Sequence, residues 1–493
     1  FTNNTMLCNL PAYDFEEFSH TDEYPIDGTK TEQALWCQHR EETWGNWYKQ
    51  EQARGRMLVR LSLVKKLIKW DFFFMPYTLD FRGRAYSVCE LLSPQSSDID
   101  RGLIMFANPM EQTEEGLYWQ KIYLANLFGV DKVSLDERVA WVDSNWDRLV
   151  AIAEDPYSDY FWVDDAKKKN KSFQRLATII DLTRTDGLTQ VPVHIDGRCN
   201  GCQHWSALMR DESIANLSNV TPSEEPQDLY QFVADRTTDY CILHRDENQY
   251  FSEFMDYWQD EIDRAVTKRP TMCDSYGLTF YGIQKYTRME GHVDWVPKER
   301  RGGAVVELAR AIQAGLNRTL EEPNKGKEYL KLLANETSSN NKYLSWTTPS
   351  GFKVVHVYNT IGSRRSLAKM FNNRELQFFF RSNSVDERAV RQAISPNYIH
   401  SLDASHMFLT IKRLLTMEFN CLSMIHDSYG CHAPLVASMR QVIREEFYKM
   451  HSNDLLKNLQ LELQEQLGVQ LPDPPERGDL DIGLVLTSDY FFA

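Results

Sequence analysis

No stretch of about 18 apolar residues, the length a helix needs to cross a bilayer, occurs in the chain. The richest short run is Phe72-Phe73-Phe74-Met75-Pro76, which excludes a helical span on length. Cysteine is scarce: nine scattered residues in 493, an odd number, lack the dense, even framework of a secreted disulfide scaffold and fit a reducing compartment. The chain opens at Phe1 with no charged segment leading into an apolar one, so no secretory signal is expected. An excess of positive charge is missing as well. Lys and Arg total 55 against 70 Asp and Glu, a formal charge of −15, which rules out a polycation that coats nucleic acid along its whole length. There is neither internal repeat nor low-complexity linker, so interleaved domains are expected.

What is present describes a folded protein. Apolar residues make up 42%, charged residues 25% and aromatics 12%, and the length suggests about three domains. A binding channel needs only a local positive field. Arg54, Arg56, Arg60, Lys65, Lys66 and Lys69 cluster early, and Lys167, Lys168, Lys169 and Lys171 form a second run, read by itself as a solvated helix face.

Periodicity places the elements. Met57, Leu61, Val64 and Ile68 recur at helical spacing, predicting one or two long helices over 31–70. From Asp80 to Val88 a period of two predicts an extended segment with Asp80, Arg82, Arg84 and Tyr86 on one side. Helices are expected over 111–155 and 226–289, and a short buried strand over 191–195 ending at Asp196. A hairpin is expected over 343–358 around Pro349-Ser350-Gly351, a more basic one over about 363–386, and a strand pair around Met424 to Gly430.

Four constellations carry chemical interest. Asp196-Gly197 closes an apolar strand, where a carboxylate suits a hard cation; a lone Asp-Gly is more often a turn. Cys199 and Cys202 with His194 and His204 suggest zinc only weakly, because no second ligand pair has matching spacing. His426-Asp427-Ser428 delivers another carboxylate, and two such aspartates could hold two metal ions about 4 Å apart. Arg264, Lys268, Met272 and Tyr276 fall every fourth residue and would form one helical stripe suited to a triphosphate at one end and a sugar or base at the other. Pro270 lies within it, so a kink or a late helix start is expected. His400, Asp403 and His406 recur every third residue, a spacing open to a metal site or to core hydrogen bonds.

Taken together these motifs resemble the single-subunit, phage-type DNA-directed RNA polymerases, relatives of the T7 and mitochondrial enzymes. Asp196 to His204 is similar to the family's motif A, Arg264 to Gly277 to motif B, and His426-Asp427-Ser428 to motif C. Pro76 to Tyr86, Pro396 to His406 and the aromatic ending Ser488 to Ala493 extend the likeness over about residues 31–493.

The resemblance implies an α/β (α+β) right-hand polymerase fold with a palm antiparallel sheet and mainly helical fingers. It implies a thumb-like helical segment over 1–70, palm over 71–225, fingers over 226–400 with a specificity-loop-like hairpin near 363–386, and palm with a carboxyl-terminal foot over 401–493. It implies two Mg²⁺ ions on Asp196 and Asp427, with the Gly197 carbonyl as an auxiliary ligand. Arg264, Lys268 and Arg269 would meet nucleotide phosphates, with Lys268 as proton donor to pyrophosphate. Met272, Tyr276, Tyr230, Gly201 and His400 would line the nucleotide, Tyr276 and His400 inspecting the ribose 2'-hydroxyl. Arg82 and Arg84 would grip the RNA:DNA hybrid, and the basic hairpin around Arg364, Arg365, Lys369 and Arg374 falls where relatives carry the specificity loop.

DNA polymerases of family A are the closest rival. They commonly place glutamate where this chain has Gly201 and read His-Asp-Glu in motif C, so Gly201 is expected to leave room for a 2'-hydroxyl. An inert polymerase-like nucleic-acid-binding subunit is the third reading. Expected partners are DNA template, RNA product, ribonucleoside triphosphates and a second polymerase chain supplying the amino-terminal region, with no membrane. The expected setting is a phage-infected bacterial cytoplasm, with the mitochondrial matrix as the alternative.

Overall fold

The computed structural model describes residues 24–163, 171–247, 252–253, 258, 262–339, 342–368, 374–417 and 419–493. The chain divides into two compact units, residues 1–76 with 89–93, and residues 77–88 with 94–493.

The first unit is built on a single helix, α1 (Lys30–Leu67). The Thr29 hydroxyl accepts from the Glu32 amide while the Glu32 carboxylate accepts from the Thr29 amide at 2.7 Å, a reciprocal cap that satisfies two orphan donors. Lys65 and Lys66 occupy the last turn, where the helix dipole favours cations. Met57, Leu61 and Val64 are half-buried, and Ile68 is exposed.

The second unit mixes helices with small antiparallel sheets. Strands β1 (Tyr77–Leu79) and β2 (Ala85–Ser87) form a hairpin, and β3 (Met110–Glu111) pairs with β4 (Leu188–Thr189). Strand β5 (Val193–Asp196) will matter most. Next come the hairpins β6 (Leu344–Thr347) with β7 (Lys353–His356) and β8 (Asn359–Ala368) with β9 (Arg374–Val385). Strands β10 (Ser423–Ile425) and β11 (Ser428–Cys431) complete a three-stranded sheet ordered β10-β11-β5, antiparallel throughout.

Helices supply the rest: α2 (Asp98–Gly102), α3 (Glu114–Phe128), α4 (Leu135–Ser144), α5 (Trp146–Glu154), α6 (Ser172–Leu182), α7 (Asn200–Met209), α8 (Glu212–Leu217) and α9 (Leu229–Leu243). After them follow α10 (Arg264–Asp274), α11 (Phe280–Met289), α12 (Arg301–Thr319), α13 (Glu321–Ser338), α14 (Glu387–Thr416), α15 (Val436–His451) and α16 (Leu455–Leu467). The chain is thus a mixed α and β fold.

Four cores hold these pieces. The first packs Val193, Ile195, Tyr429 and Cys431 of the sheet against α3, α15 and the terminal Phe491 and Phe492, drawing its residues from 119–220 and 407–492. The second lies among α9 to α12, through Val233, Ile283 and Leu308. A third joins Trp205 of α7 to α13, α14, α16 and Trp346 of β6. The fourth unites α3 to α6 around Leu124, Leu149 and Ile179.

Two local expectations change. Asp80 to Val88 is not one extended run: Asp80 and Arg84 close a tight turn between β1 and β2, with the Asp80 amide donating to the Arg84 carbonyl at 2.9 Å and Gly83 at φ +92°. Sequential cations around a glycine turn the chain where alternation had predicted extension. Helix α10 starts at its Asp263 cap, ahead of Pro270, so the late start does not occur; Pro270 leaves the Val266 carbonyl without its usual helical donor. The helix ends at Asp274, so Tyr276 sits beyond the stripe, in a turn whose amide donates to Cys273 at 3.1 Å.

Three buried histidines meet between α7, α14 and α15. His204 Nδ1 lies 3.0 Å from His451 Nε2, and His406 Nε2 donates to the Ile443 carbonyl at 2.8 Å. Burial depresses all three, His406 to about 4 and the other two well below their ordinary value of 6.5. The unfolded chain therefore takes up protons below pH 6.5 that the folded one refuses, so stability falls as the medium is acidified. We expect urea unfolding between pH 6.5 and 5 to show a loss of about 1 kcal/mol per histidine per pH unit; a flat profile would contradict the neutral cluster.

Candidate active site

The site begins with strand register. Ser428 of β11 faces Asp196 of β5, followed by Tyr429 with Ile195, Gly430 with His194 and Cys431 with Val193. Between β10 and β11 only His426 and Asp427 make the turn, with Ile425 opposite Ser428. His426 adopts φ +54°, a left-handed conformation that two-residue hairpins require at their first central position and that glycine usually supplies. Asp427 is thereby delivered beside the end of β5. The Gly197 amide donates across to the Asp427 carbonyl at 3.2 Å, joining the two acidic ends directly.

The Gly197 end is also braced from the carboxyl-terminal side. Gly197 bridges Phe492, whose carbonyl accepts from Arg440 Nε at 3.1 Å, and Gln203 Nε2 donates to the Phe491 carbonyl at 2.9 Å. A methyl group on Gly197 would stand 3.2 Å from the Phe492 ring and 3.1 Å from Gln203 Oε1. A side chain there would oblige Gln203 or Phe492 to give by a few tenths of an ångström.

Electrostatics single out Asp427. Burial, then the charges of Asp403 and Asp196, push its carboxyl up to about 7, and Arg84 opposes them only in part. A buried carboxylate held so high has less positive charge around it than its burial calls for. A divalent cation between Asp427 and Asp196 would supply it, and Mg²⁺ suits one or two protein carboxylates completed by substrate phosphates and water. Among the described residues no group of three or more His, Cys, Asp or Glu is gathered that could hold a metal ion.

Behind the aspartates lies an ordered cationic layer. Asp80 accepts from the Arg82 and Arg84 amides at 2.9 and 3.0 Å through Oδ1, and from Arg82 Nε and Nη2 at 2.8 and 2.6 Å through Oδ2. One carboxylate thus shapes the turn and aims both arginines. Arg84 forms a two-pronged pair with the buried Asp403, Nε to Oδ1 at 3.0 Å and Nη2 to Oδ2. Its guanidinium is committed to this buried carboxylate. Arg82 Nη1 lies 2.7 Å from His400 Nδ1. A guanidinium can only donate, so Nδ1 accepts and the ring proton resides on Nε2. Burial, reinforced by Arg84 and Arg82, keeps His400 neutral. Its ring lies 4.4 Å from that of Tyr276, whose phenol burial holds well above its ordinary range.

Gly201 acts differently from expectation. A methyl there would stand 2.3 Å from Ser275 Oγ and 3.2 Å from Tyr276 Cζ. The space that glycine frees is filled by the Ser275-Tyr276 turn, which lets the phenol descend onto α7; it is not an open slot. The alternative metal constellations also dissolve. His194 meets Ser428 and Ser423 hydroxyls at 3.2 Å, His204 meets His451, and His400, Asp403 and His406 turn to Arg82, Arg84 and Ile443 respectively.

Along α10 opens a cavity of about 840 Å³ whose lining includes Lys171, Arg264, Lys268, Arg269, Met272 and Asp131. Arg264 donates from Nε to Asp228 at 2.5 Å and lies 5.1 Å from the Tyr230 ring centre, with Lys268 Nζ at 6.0 Å from the same ring. Arg269 turns to Glu290 at 2.8 Å and stacks on Tyr286. Lys171 is half-buried, and burial lowers its pKa against the field of Asp196, so it does not belong to a solvated face. Lys167, Lys168 and Lys169 lie outside the described residues, as does Lys369. Arg364 and Arg365 are exposed on β8, opposite Phe378 and Gln377. Sequence reasoning set Asp80 beside the arginines without giving it a task, and passed over Asp131 and Asp228 as charge partners. Only Asp228 carried a signal: an acid directly ahead of a helical run is a cap.

These acids, arginines and the α10 cations make up the candidate site. A family model for DNA-dependent RNA polymerase matches residues 110–471. The chain is 34% identical over 452 residues to DNA-directed RNA polymerase 2, chloroplastic/mitochondrial, of Arabidopsis thaliana, covering 88% of this chain and 44% of that protein. It is 34% identical over 453 residues to DNA-directed RNA polymerase 2B, chloroplastic/mitochondrial, of Nicotiana tabacum (88% and 43%), and 32% identical over 458 residues to the mitochondrial polymerase 1B of the same plant (88% and 44%). The chain therefore belongs to the DNA-dependent RNA polymerase family, in its single-subunit, T7-like branch. It spans less than half the length of these relatives. Their names place them in plant organelles and lend no support to the phage setting expected from the sequence. No helix among the described residues is long and apolar enough to cross a membrane.

The Arg84–Asp403 pair yields a stability prediction. Asp403 is 1% exposed, so Arg84→Met should leave an unpaired buried carboxylate and cost about 3–5 kcal/mol in chemical denaturation. The double variant Arg84→Met/Asp403→Leu should regain most of that loss; no recovery would mean that the cost arises from packing alone.

Proposed function

We propose that this chain is the catalytic part of a DNA-directed RNA polymerase that joins ribonucleoside triphosphates to a growing RNA strand on a DNA template. The observation that supports the reading is the β5–β11 register, which brings the Asp427 turn to the end of β5 where Asp196 lies. Two Mg²⁺ ions held by Asp196 and Asp427, with the Gly197 carbonyl as auxiliary ligand, would supply charge neutralisation at the attacking hydroxyl and the departing phosphate.

The chain's own residues position and stabilise. The RNA 3'-hydroxyl attacks the α-phosphate of the incoming triphosphate, and pyrophosphate departs. Arg264 and Lys268, with Arg269 further out, face the phosphates, and Lys268 gives its proton to the leaving pyrophosphate. Tyr276 and the Nε2 proton of His400 form a neutral hydrogen-bonding pair for a ribose 2'-hydroxyl; the Gly201 contact supports this reading by letting Tyr276 reach its place. Tyr230 and Met272 would flank the nascent base pair. Arg82 and the exposed Arg364 and Arg365 are the nucleic-acid contacts, and Arg84 acts through Asp403.

A second polymerase chain supplying the amino-terminal region is part of the proposal. The setting is either a phage-infected bacterial cytoplasm or an organelle matrix, the latter favoured by the names of the relatives.

The test is extension of an RNA primer on a DNA template with Mg²⁺. Asp196→Asn and Asp427→Asn should each reduce extension by at least about a thousandfold while template affinity stays within about threefold. Full activity in either variant rejects the site, and absence of extension by the unaltered chain favours an inert subunit. Incorporation of rNTP should exceed that of dNTP, and Tyr276→Phe should narrow the ratio about tenfold. A strong dNTP preference would identify a DNA polymerase instead.

A further inference from the structure

Three cations and two carboxylates alternate in a row that reaches the lining of the α10 cavity at Asp131 and Arg264. Arg198, two residues beyond Asp196, donates from Nη2 to the Asp131 backbone carbonyl at 3.2 Å and brings Nη1 to 3.7 Å from the Asp131 carboxylate. The same carboxylate lies 3.2 Å from Lys132 Nζ, which is 4.0 Å from Asp228 Oδ2. Asp228 Oδ2 accepts from Arg264 Nε at 2.5 Å. The sequence of charges is Arg198, Asp131, Lys132, Asp228, Arg264, running from the loop after the first metal aspartate to the first residue of α10.

Asp228 divides its oxygens. Oδ1 caps α9, accepting from the Tyr230 and Gln231 amides at 3.0 and 3.4 Å, and Oδ2 serves the cations. Burial pushes Asp131 up, but Lys132, Arg198 and Arg264 outweigh it and keep the group ionised. Asp131 thus stands as an anion, and the Asp228 carboxylate as a hydrogen-bond partner, among the cations that a polyphosphate would seek. Asp131 and Arg264 line the cavity directly.

We propose that Asp131 and Asp228 are built-in competitors of the polyphosphate, neutralising Arg198, Lys132 and Arg264 while the cavity is empty and limiting how tightly a triphosphate or released pyrophosphate is held. The inference rests on reading the cavity as the triphosphate site. Like charges across a few ångströms of partly screened space oppose binding, and an anion that displaces a carboxylate from a cation gains less than one that meets the cation unpaired. After each bond is made the carboxylates reclaim their cations, which hastens departure of pyrophosphate. They are positioning residues: they act on the cations and not on the reacting atoms.

The test uses the full chain and inorganic tripolyphosphate, a probe without base, sugar or metal, titrated calorimetrically at about 50 mM salt, where charge effects are weakly screened. Asp228→Asn keeps the helix cap, since Asn caps as well as Asp, and removes only the charge. It should tighten tripolyphosphate binding about three- to tenfold, and the gain should vanish in Asp228→Asn/Arg264→Ala. Asp131→Asn should act in the same direction through Arg198 and Lys132. Unchanged or weaker binding in both single variants overturns the proposal, as does a gain that persists without Arg264. Primer extension, run alongside, separates the two ideas: tighter tripolyphosphate binding in a chain that never extends RNA retains the competitor role and rejects the polymerase reading.

Discussion

The whole centre depends on the hydrogen-bonded register between β11 and β5. Strand side chains alternate faces, so a slip of one residue would turn Asp196 and the residues around it to the opposite side. The buried sequence Val193, His194, Ile195 against Tyr429, Gly430, Cys431 forbids the slip. Gly430 matters here because a methyl on it would stand 2.8 Å from the His194 ring. Packing in the first core therefore fixes a geometry that acid repulsion alone would push apart.

Around that register the protein arranges charge in layers with opposite tasks. Beneath the aspartates, Arg84 and Asp403 neutralise each other in the interior and Arg82 sets the tautomer of His400, so this layer gives shape and hydrogen-bond polarity. Arg198 and the α10 cations form a second layer, paired with Asp131, Asp228 and Glu290. The Arg84–Asp403 pair is costly to disturb because Asp403 is buried. The Arg269–Glu290 pair is more exposed and can exchange partners more readily.

Much of this was legible in the amino-acid order, and what was not has physical causes. Short apolar strands ending in aspartate announce themselves by composition, which is why Asp196 and Asp427 could be named together. The helical spacing of Arg264, Lys268 and Met272 likewise survives in α10. Tyr276 escaped the pattern because the helix ends two residues before it. The turn at Asp80–Arg84 was hidden by alternation, since a two-residue period also fits a tight hairpin whose polar side chains converge. The Asp228–Arg264 contact spans 36 residues of chain and the Arg84–Asp403 contact 319, and pairs so distant leave no periodic trace. The filling of the Gly201 space by Ser275 was equally out of reach, because it depends on where two helices approach.

The distance along the chain between the two halves of the sheet has a consequence for biosynthesis. Strand β5 leaves the ribosome more than 200 residues before β11, so its apolar residues have no partner strand while α9 to α14 are still being made. An unpaired strand of that kind invites association with other nascent chains. Production of this protein should consequently be sensitive to translation speed and to chaperone supply, with truncated products ending before residue 428 being the species most prone to precipitate.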